Sequence, residues 1–211
     1  MSTPRTRRYN RSLASRHDNS QPTMTHLTLI CHAATEATRQ TRFPLDEPLT
    51  EQGAADAAAT ASMIGRNQQA WHGPSARCAQ TAAALGLAAQ AEPELRDWDI
   101  GRWAGHRLTD LHDSEPEAVG RWLTDPTAAP HDGESLAELV ARVARWLHGL
   151  PTQTGRAVAV THPAVIRAAV VTAIRACTQS FWRVDVTPLS LTVLSGQSDR
   201  WTLRSTGRPR G

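Results

Sequence analysis

Apolar and polar positions follow two rhythms along this chain. His26-Leu27-Thr28-Leu29-Ile30 is a short β-prone run that closes at Cys31 and His32, and it predicts a buried strand. Thr50 stands as an N-cap for an Ala-rich helix over about 51–64, stopped by Gly65. Trp71 to Ser75 reads as a short strand running into a loop, and a helix over roughly 76–85 follows, ended by Gly86. Residues 92–105 carry Pro and Gly at loop spacing, and Leu108 to Asp125 reads as short helices interrupted by Pro116. Between Glu134 and Leu150, apolar residues recur three and four apart at Leu136, Leu139, Val140, Val143, Trp146, Leu147 and Leu150, the spacing of an amphipathic helix. Ala157 to Thr161 is a second buried strand, and a helix from about Pro163 to Ala176 follows it. Pro163 falls at an early helical position, where the missing N–H costs nothing. Two or three closing strands are expected, over about 181–186, 190–195 and 200–205.

Strands separated by amphipathic helices imply an α/β protein, a three-layer α/β/α domain whose mainly parallel sheet carries helices on both faces. Right-handed crossovers then gather the strand C-terminal ends along one edge, where open sheets of this kind bind ligands. At 211 residues the chain is long enough for one well-buried core, and one domain is expected over residues 24–211. Residues 1–23 show no apolar periodicity and are rich in Arg, Ser, Thr and Asn, so they read as a disordered basic tail. Met24 directly precedes the first strand, which makes an over-called translation start the bland account of that tail; a transit peptide or an arm binding a polyanion are the alternatives.

Charge changes little in this picture. The nominal +3 would suggest a basic protein, but residues 1–23 hold five arginines against Asp18 alone, leaving −1 for the remainder. No nucleic-acid partner is therefore expected for the folded domain. The 23 basic residues are all Arg, and Ala is abundant, which fits a GC-rich, bacterial genome. Three cysteines, Cys31, Cys78 and Cys177, form no close pair, which favours a reducing cytoplasm over a disulfide framework or a zinc knuckle. No apolar stretch is long enough to span a membrane.

The candidate chemistry lies in two histidines, His32 and His162, each directly after a buried strand and so each placed on the ligand edge of the sheet. Around them stand T-L-I-C-H-A-A-T at 28–35, L-D-E-P-L-T-E-Q-G at 45–53, P-S-A-R-C-A-Q-T-A at 74–82, L-R-D-W-D-I-G-R-W-A-G at 95–105, G-E-S at 133–135 and V-T-H-P-A-V-I-R at 160–167. In this order and spacing they resemble the signatures of the histidine phosphatase superfamily, the phosphoglycerate-mutase-like fold. The resemblance implies that His32 is a nucleophile taking a phosphoryl group, Asp97 a proton donor, His162 a phosphate-pocket residue and Arg77 a phosphate clamp. It implies no metal and no cofactor, and a small soluble phosphomonoester as substrate. Each role is chemically sensible: a neutral imidazole can attack phosphorus while its other nitrogen is held by a backbone carbonyl, and a guanidinium fork matches a phosphoryl group. Trp98 and Trp103 flank the loop of Asp97 and could line a substrate pocket or serve packing; Ser135 could touch substrate or cap the long helix.

The chain departs from the family where Arg-His-Gly is usual: Cys31 and Ala33 flank His32. Ala34 replaces an acidic residue, Thr38 an Asn, Asp97 the commoner Glu, and Pro163 a Gly. Three readings follow. A working phosphatase could have rearranged its pocket, with Arg39 or Arg42 folding back to supply the missing charge, so that the substrate-binding set is Arg77, Arg39, Arg42, Thr38 and Ser135. Alternatively, the fold is a weak or inactive module that holds a phosphorylated ligand. The third reading makes Cys31 the nucleophile of a C-x5-R loop, but position 37 is Ala, and a buried, inert thiol is the simpler account. The short 105–133 region favours a phosphatase over a mutase, and α-ribazole phosphate, sugar phosphates or a broad substrate range are the candidates. The C-terminal strands offer edges that could pair across a homodimer.

Overall fold

The computed structural model describes residues 24–65, 69–151 and 155–207, so the expectations for the tail lie outside the described residues. In chain order the elements are β1 (Thr25–Cys31), α1 (Glu36–Gln40), α2 (Glu51–Thr60), β2 (Gln69–His72), α3 (Ala76–Ala84), β3 (Gln90–Ala91), α4 (Leu108–Ser114), α5 (Pro116–Thr124), α6 (Leu136–Gly149), β4 (Arg156–Thr161), α7 (Pro163–Ala173), β5 (Leu191–Gln197) and β6 (Arg200–Gly207). The strands form one sheet in the order β3-β2-β4-β1-β5-β6. From β3 to β1 neighbours run parallel, whereas β5 and β6 form an antiparallel extension.

The two central strands alternate with a period of two because both faces are covered. Leu27, Leu29, Ala157 and Ala159 face the core shared with α6 and α7, and Ile30, Val158 and Val160 face the smaller core completed by Cys78, Ala82 and Leu85. This is the expected three-layer arrangement, and it sends β1 and β4 to the same edge, where Cys31 pairs with Thr161. His32 and His162 emerge there side by side.

Local chemistry sets the helix ends. Ser135 and Glu138 form a reciprocal capping box at α6, and the Thr50 hydroxyl accepts from the Gly53 N–H at 3.0 Å at α2. The helix expected to 64 stops at Thr60 and tightens into a 3-10 turn over Ala61–Met63. Helix α1 and the two-residue β3 carry too few residues to show a period.

The strand expected over 181–186 does not form: Thr178–Arg183 is a 3-10 helix. A strand would send Phe181 and Trp182 to opposite faces, whereas both turn to Trp98, with ring centroids 5.5 and 6.0 Å away. Burial in an aromatic cluster outweighs the β propensity of the segment.

Candidate active site

Strand β1 delivers His32, which is 5% exposed and donates its backbone N–H to the Thr161 carbonyl at 2.9 Å. Its Nδ1 lies 2.8 Å from the Ala33 carbonyl oxygen. A carbonyl only accepts, so the neutral ring carries its proton on Nδ1 and presents a bare Nε2 lone pair. Burial first, then the positive charge of His162, lowers the His32 pKa to about 4. At neutral pH it is an uncharged nucleophile. Helix α3 holds the loop from behind, since the Ala33 N–H donates to the Thr81 hydroxyl at 3.0 Å.

His162, the residue before α7, is fully buried and stands with its ring centroid 5.3 Å from that of His32. Burial, the largest single influence, would lower its pKa, but Asp97 and after it Cys78 together outweigh that and raise it to about 9, so the ring is a cation at neutral pH. Its Nδ1 lies 3.2 Å from Asp97 Oδ2, a charge contact outside hydrogen-bond geometry. Its Nε2 lies 3.4 Å from both the Ser75 hydroxyl and the Cys78 sulfur. Gly73 makes room for it: a Cβ there would stand 2.5 Å from the Leu95 carbonyl oxygen and 3.2 Å from His162 Nε2.

Asp97 binds the cluster together. Its Oδ2 accepts from Arg77 at 2.8 Å, and its Oδ1 accepts from the Trp98 N–H at 2.8 Å. Desolvation works against the ionised form, but His162 and Arg77 prevail and hold the carboxyl well below the usual carboxylate range. Arg77, on α3, is 3% exposed and also donates to the Leu45 carbonyl at 2.6 Å. The acid loop is itself pinned from α6: buried Arg142 forms a bidentate pair with Glu134 at 2.7 Å and donates to the backbone carbonyls of Glu94, Arg96 and Asp97. Glu134 of the G-E-S segment thus acts through Arg142.

A cavity of about 500 Å³ opens beside His32, walled among others by Cys31, Thr38, Arg42, Asp97 and Arg167. The structure therefore brings His32, Asp97, His162 and Arg77 together, with His162 and Arg77 behind the wall. Arg42 and Thr38 reach the cavity; the Thr38 hydroxyl also lies 3.1 Å from that of Thr35, in the cap of α1. Arg39 does not fold back. Its side chain is 68% exposed and contacts Glu36 at 3.6 Å, as expected for a long cation in the last turn of a surface helix. Ser135 is not on the cavity wall either, because its hydroxyl is engaged with Glu138 in the helix cap. Burial raises the pKa of the Cys31 thiol far above its ordinary value, so it is a neutral group and not a thiolate.

Sequence motifs alone assign Arg167 no role. It lines the cavity, its guanidinium carbon lies 5.7 Å from the centre of the Phe181 ring, and its Nε is buried without a hydrogen-bond partner. Among the described residues no carboxylate pairs with it at ion-pair distance. The signal was present: in the run PAVIRAAVVTA it is the single charge on an otherwise apolar helix.

The described residues contain no group of three or more His, Cys, Asp or Glu side chains suited to a metal ion, and no helix long and apolar enough to cross a membrane.

Comparison with known proteins agrees with this geometry. The model of the histidine phosphatase superfamily (branch 1) matches residues 27–208. A glucosyl-3-phosphoglycerate phosphatase of Mycobacterium tuberculosis is 32% identical over 124 residues, which are 55% of this chain and 56% of that protein. The aligned stretch thus spans little more than half of that relative. The solved mycobacterial glucosyl-3-phosphoglycerate phosphatase superposes with a TM-score of 0.73 at 26% identity, covering 86% of this chain and 97% of that one. A phosphoserine phosphatase of Entamoeba histolytica, in complex with 3-phosphoglyceric acid, superposes with a TM-score of 0.79 at 21% identity over 88% of this chain and 98% of that one, a likeness of fold.

Proposed function

The chain belongs to the histidine phosphatase superfamily, and from that premise we propose that it hydrolyses a small phosphomonoester through a phosphohistidine on His32. The observation that carries this reading is the His32 ring itself, deprotonated at Nε2, buried, and open to the cavity.

In this reading Nε2 of His32 attacks phosphorus, the ester oxygen leaves, and the new N–P bond is later broken by water. Asp97 has to give a proton to the departing alkoxide, yet the resting site holds it ionised between Arg77 and His162. An incoming phosphoryl dianion resolves this conflict, because it competes with the carboxylate for the same cations. With those cations shared, and facing the dianion, Asp97 has its pKa driven upward, takes up a proton from solvent and becomes the acid; after giving that proton to the alkoxide it takes one from the attacking water. Charge on the equatorial oxygens is met by Arg77 and cationic His162 from behind. Arg167 supplies on the cavity wall the positive charge that Cys31 does not, in place of Arg39. Arg42 and Thr38 are left to contact the rest of the ester.

A cytoplasmic setting is favoured by three cysteines that are all free thiols, and the outer edge of β6 is the surface offered for a homodimer. The mycobacterial relatives named above are phosphatases, which favours the hydrolase over the inactive-module alternative.

The test is metal-free hydrolysis of a panel of metabolite phosphomonoesters near pH 6, comparing wild type with His32→Ala. Activity lost in the variant supports the reading. No turnover of any ester by wild type would leave a phosphate-binding module.

A further inference from the structure

Phe43, Trp98, Trp122, Phe181 and Trp182 give the cavity beside His32 an aromatic side, and the rest of its wall is largely aliphatic. Trp98 and Trp122 stack at 5.2 Å with planes 27° apart, and Trp182 closes on Trp122 at 4.8 Å and 70°. Phe43 adds an edge against Trp122 at 5.8 Å, and Phe181 carries Arg167 on its face. Four of the seven tryptophans of the chain meet in this one cluster, the fourth being Trp103 behind Trp122 at 5.6 Å. The polar side chains on the wall, beyond His32 and Asp97, are Thr38, Thr41, Arg42 and Arg167. Among the described residues no Ser, Gln or Glu lines the cavity.

We propose that this cavity receives the leaving group of a phosphomonoester of an apolar, ring-bearing alcohol, a deepening that rests on the hydrolase reading. A sugar or glycerol moiety brings several hydroxyl groups, each of which loses water on entry and needs a partner. The wall offers them few: the Thr38 hydroxyl is shared with Thr35 in the helix cap, the Trp98 indole N–H donates to the Glu134 carbonyl at 2.6 Å, and beside Arg167 only Arg42 and Thr41 remain. An apolar ring loses no hydrogen bond there and covers the part of Phe43 and Trp182 that the fold leaves exposed. A volume of about 500 Å³ is ample for a fused bicyclic ring and its linking carbon. The cation for a phosphoryl group sits at the boundary of this apolar space, since Arg167 lies on the ring of Phe181.

The experiment compares naphthylmethyl phosphate with glycerol phosphate and phosphoglycerate. All are esters of aliphatic alcohols, so intrinsic leaving-group ability is similar and the cavity makes the difference. Burying about 100 Å² of ring predicts kcat/KM about 50-fold higher for the naphthylmethyl ester. Trp182→Ala should collapse that ratio by about tenfold, and Trp182→Phe should restore most of it. Equal or better turnover of glycerol phosphate or phosphoglycerate would overturn the proposal. The non-hydrolysable naphthylmethylphosphonate and methylphosphonate, titrated calorimetrically into the wild-type protein, separate the two readings. Preferential binding of the naphthyl compound without hydrolysis of any ester would sink the hydrolase reading and keep the ligand class; equal binding of both would sink the ligand class whatever the hydrolysis result.

Discussion

Replacing Asp97 by Asn removes one negative charge and keeps the shape, so its consequences can be worked from contacts already described. The carboxylate stands 2.8 Å from Arg77 and 3.2 Å from His162 Nδ1. Without it, burial is opposed by Cys78 alone, and the His162 pKa falls from about 9 toward neutrality, so the ring loses charge at pH 7. Breaking a buried ion pair by removing one partner costs about 3–5 kcal/mol. The loss here should lie near the lower figure, because Asp97 is 23% exposed and the amide oxygen still accepts from Arg77. Loss of the proton donor should lower kcat/KM, which covers only the steps up to leaving-group departure, by about 10²–10⁴ for an alkyl phosphate. Nitrophenyl phosphate should be affected far less, since nitrophenolate leaves without help. Steady-state kinetics on both esters, urea denaturation and histidine titration by NMR read the three quantities. An equal fall for both esters would refute the assignment of Asp97 as the acid, and a His162 still titrating near 9 would refute its electrostatic role.

Other outcomes follow from the same site. Once the ester's own titration is divided out, kcat/KM should rise as pH climbs through about 4, where His32 loses its proton, and fall through about 9, where His162 loses its own. For stability the sign differs between the two rings: His162, with its pKa raised, contributes fully below about 6.5 and loses that contribution as pH rises toward 9, while His32, with its pKa lowered, costs stability as pH falls from about 6.5 toward 4. Calorimetric melts across pH read both. Arg167→Gln should weaken inhibition by inorganic phosphate about tenfold, about 1.4 kcal/mol, with the fold intact; unchanged inhibition would remove Arg167 from the phosphoryl site. Arg142→Met should cost about 3 kcal/mol in denaturant unfolding and lower kcat, because Glu134 keeps only the longer contact to Arg96 at 3.6 Å and the Asp97 loop loses its anchor.

The central elements were legible because their patterns are strong. Two apolar strands ending in histidine, a long amphipathic helix and six ordered motifs place His32, Arg77, Asp97 and His162 in one cluster, as the family resemblance implied. What stayed hidden depends on tertiary context. Phe181 and Trp182 look like strand residues until the Trp98 cluster draws both to one side. Arg39 and Ser135 are near the motifs in sequence, but one faces solvent on a surface helix and the other is consumed by a cap. Arg167, on α7 and reached from a different strand, joins Arg42 on the cavity wall. The resting charge of Asp97 was equally invisible, since it depends on which cations meet it across the sheet edge.

The most direct test of the phosphohistidine is to mix enzyme with a labelled phosphomonoester, quench in alkali within the first turnover, and map the modified peptide by mass spectrometry. The account predicts one acid-labile, alkali-stable phosphoryl group on His32, absent from His32→Ala. A phosphoryl group found on Cys31 or on any other side chain, or steady hydrolysis with no phosphoenzyme formed, would contradict it.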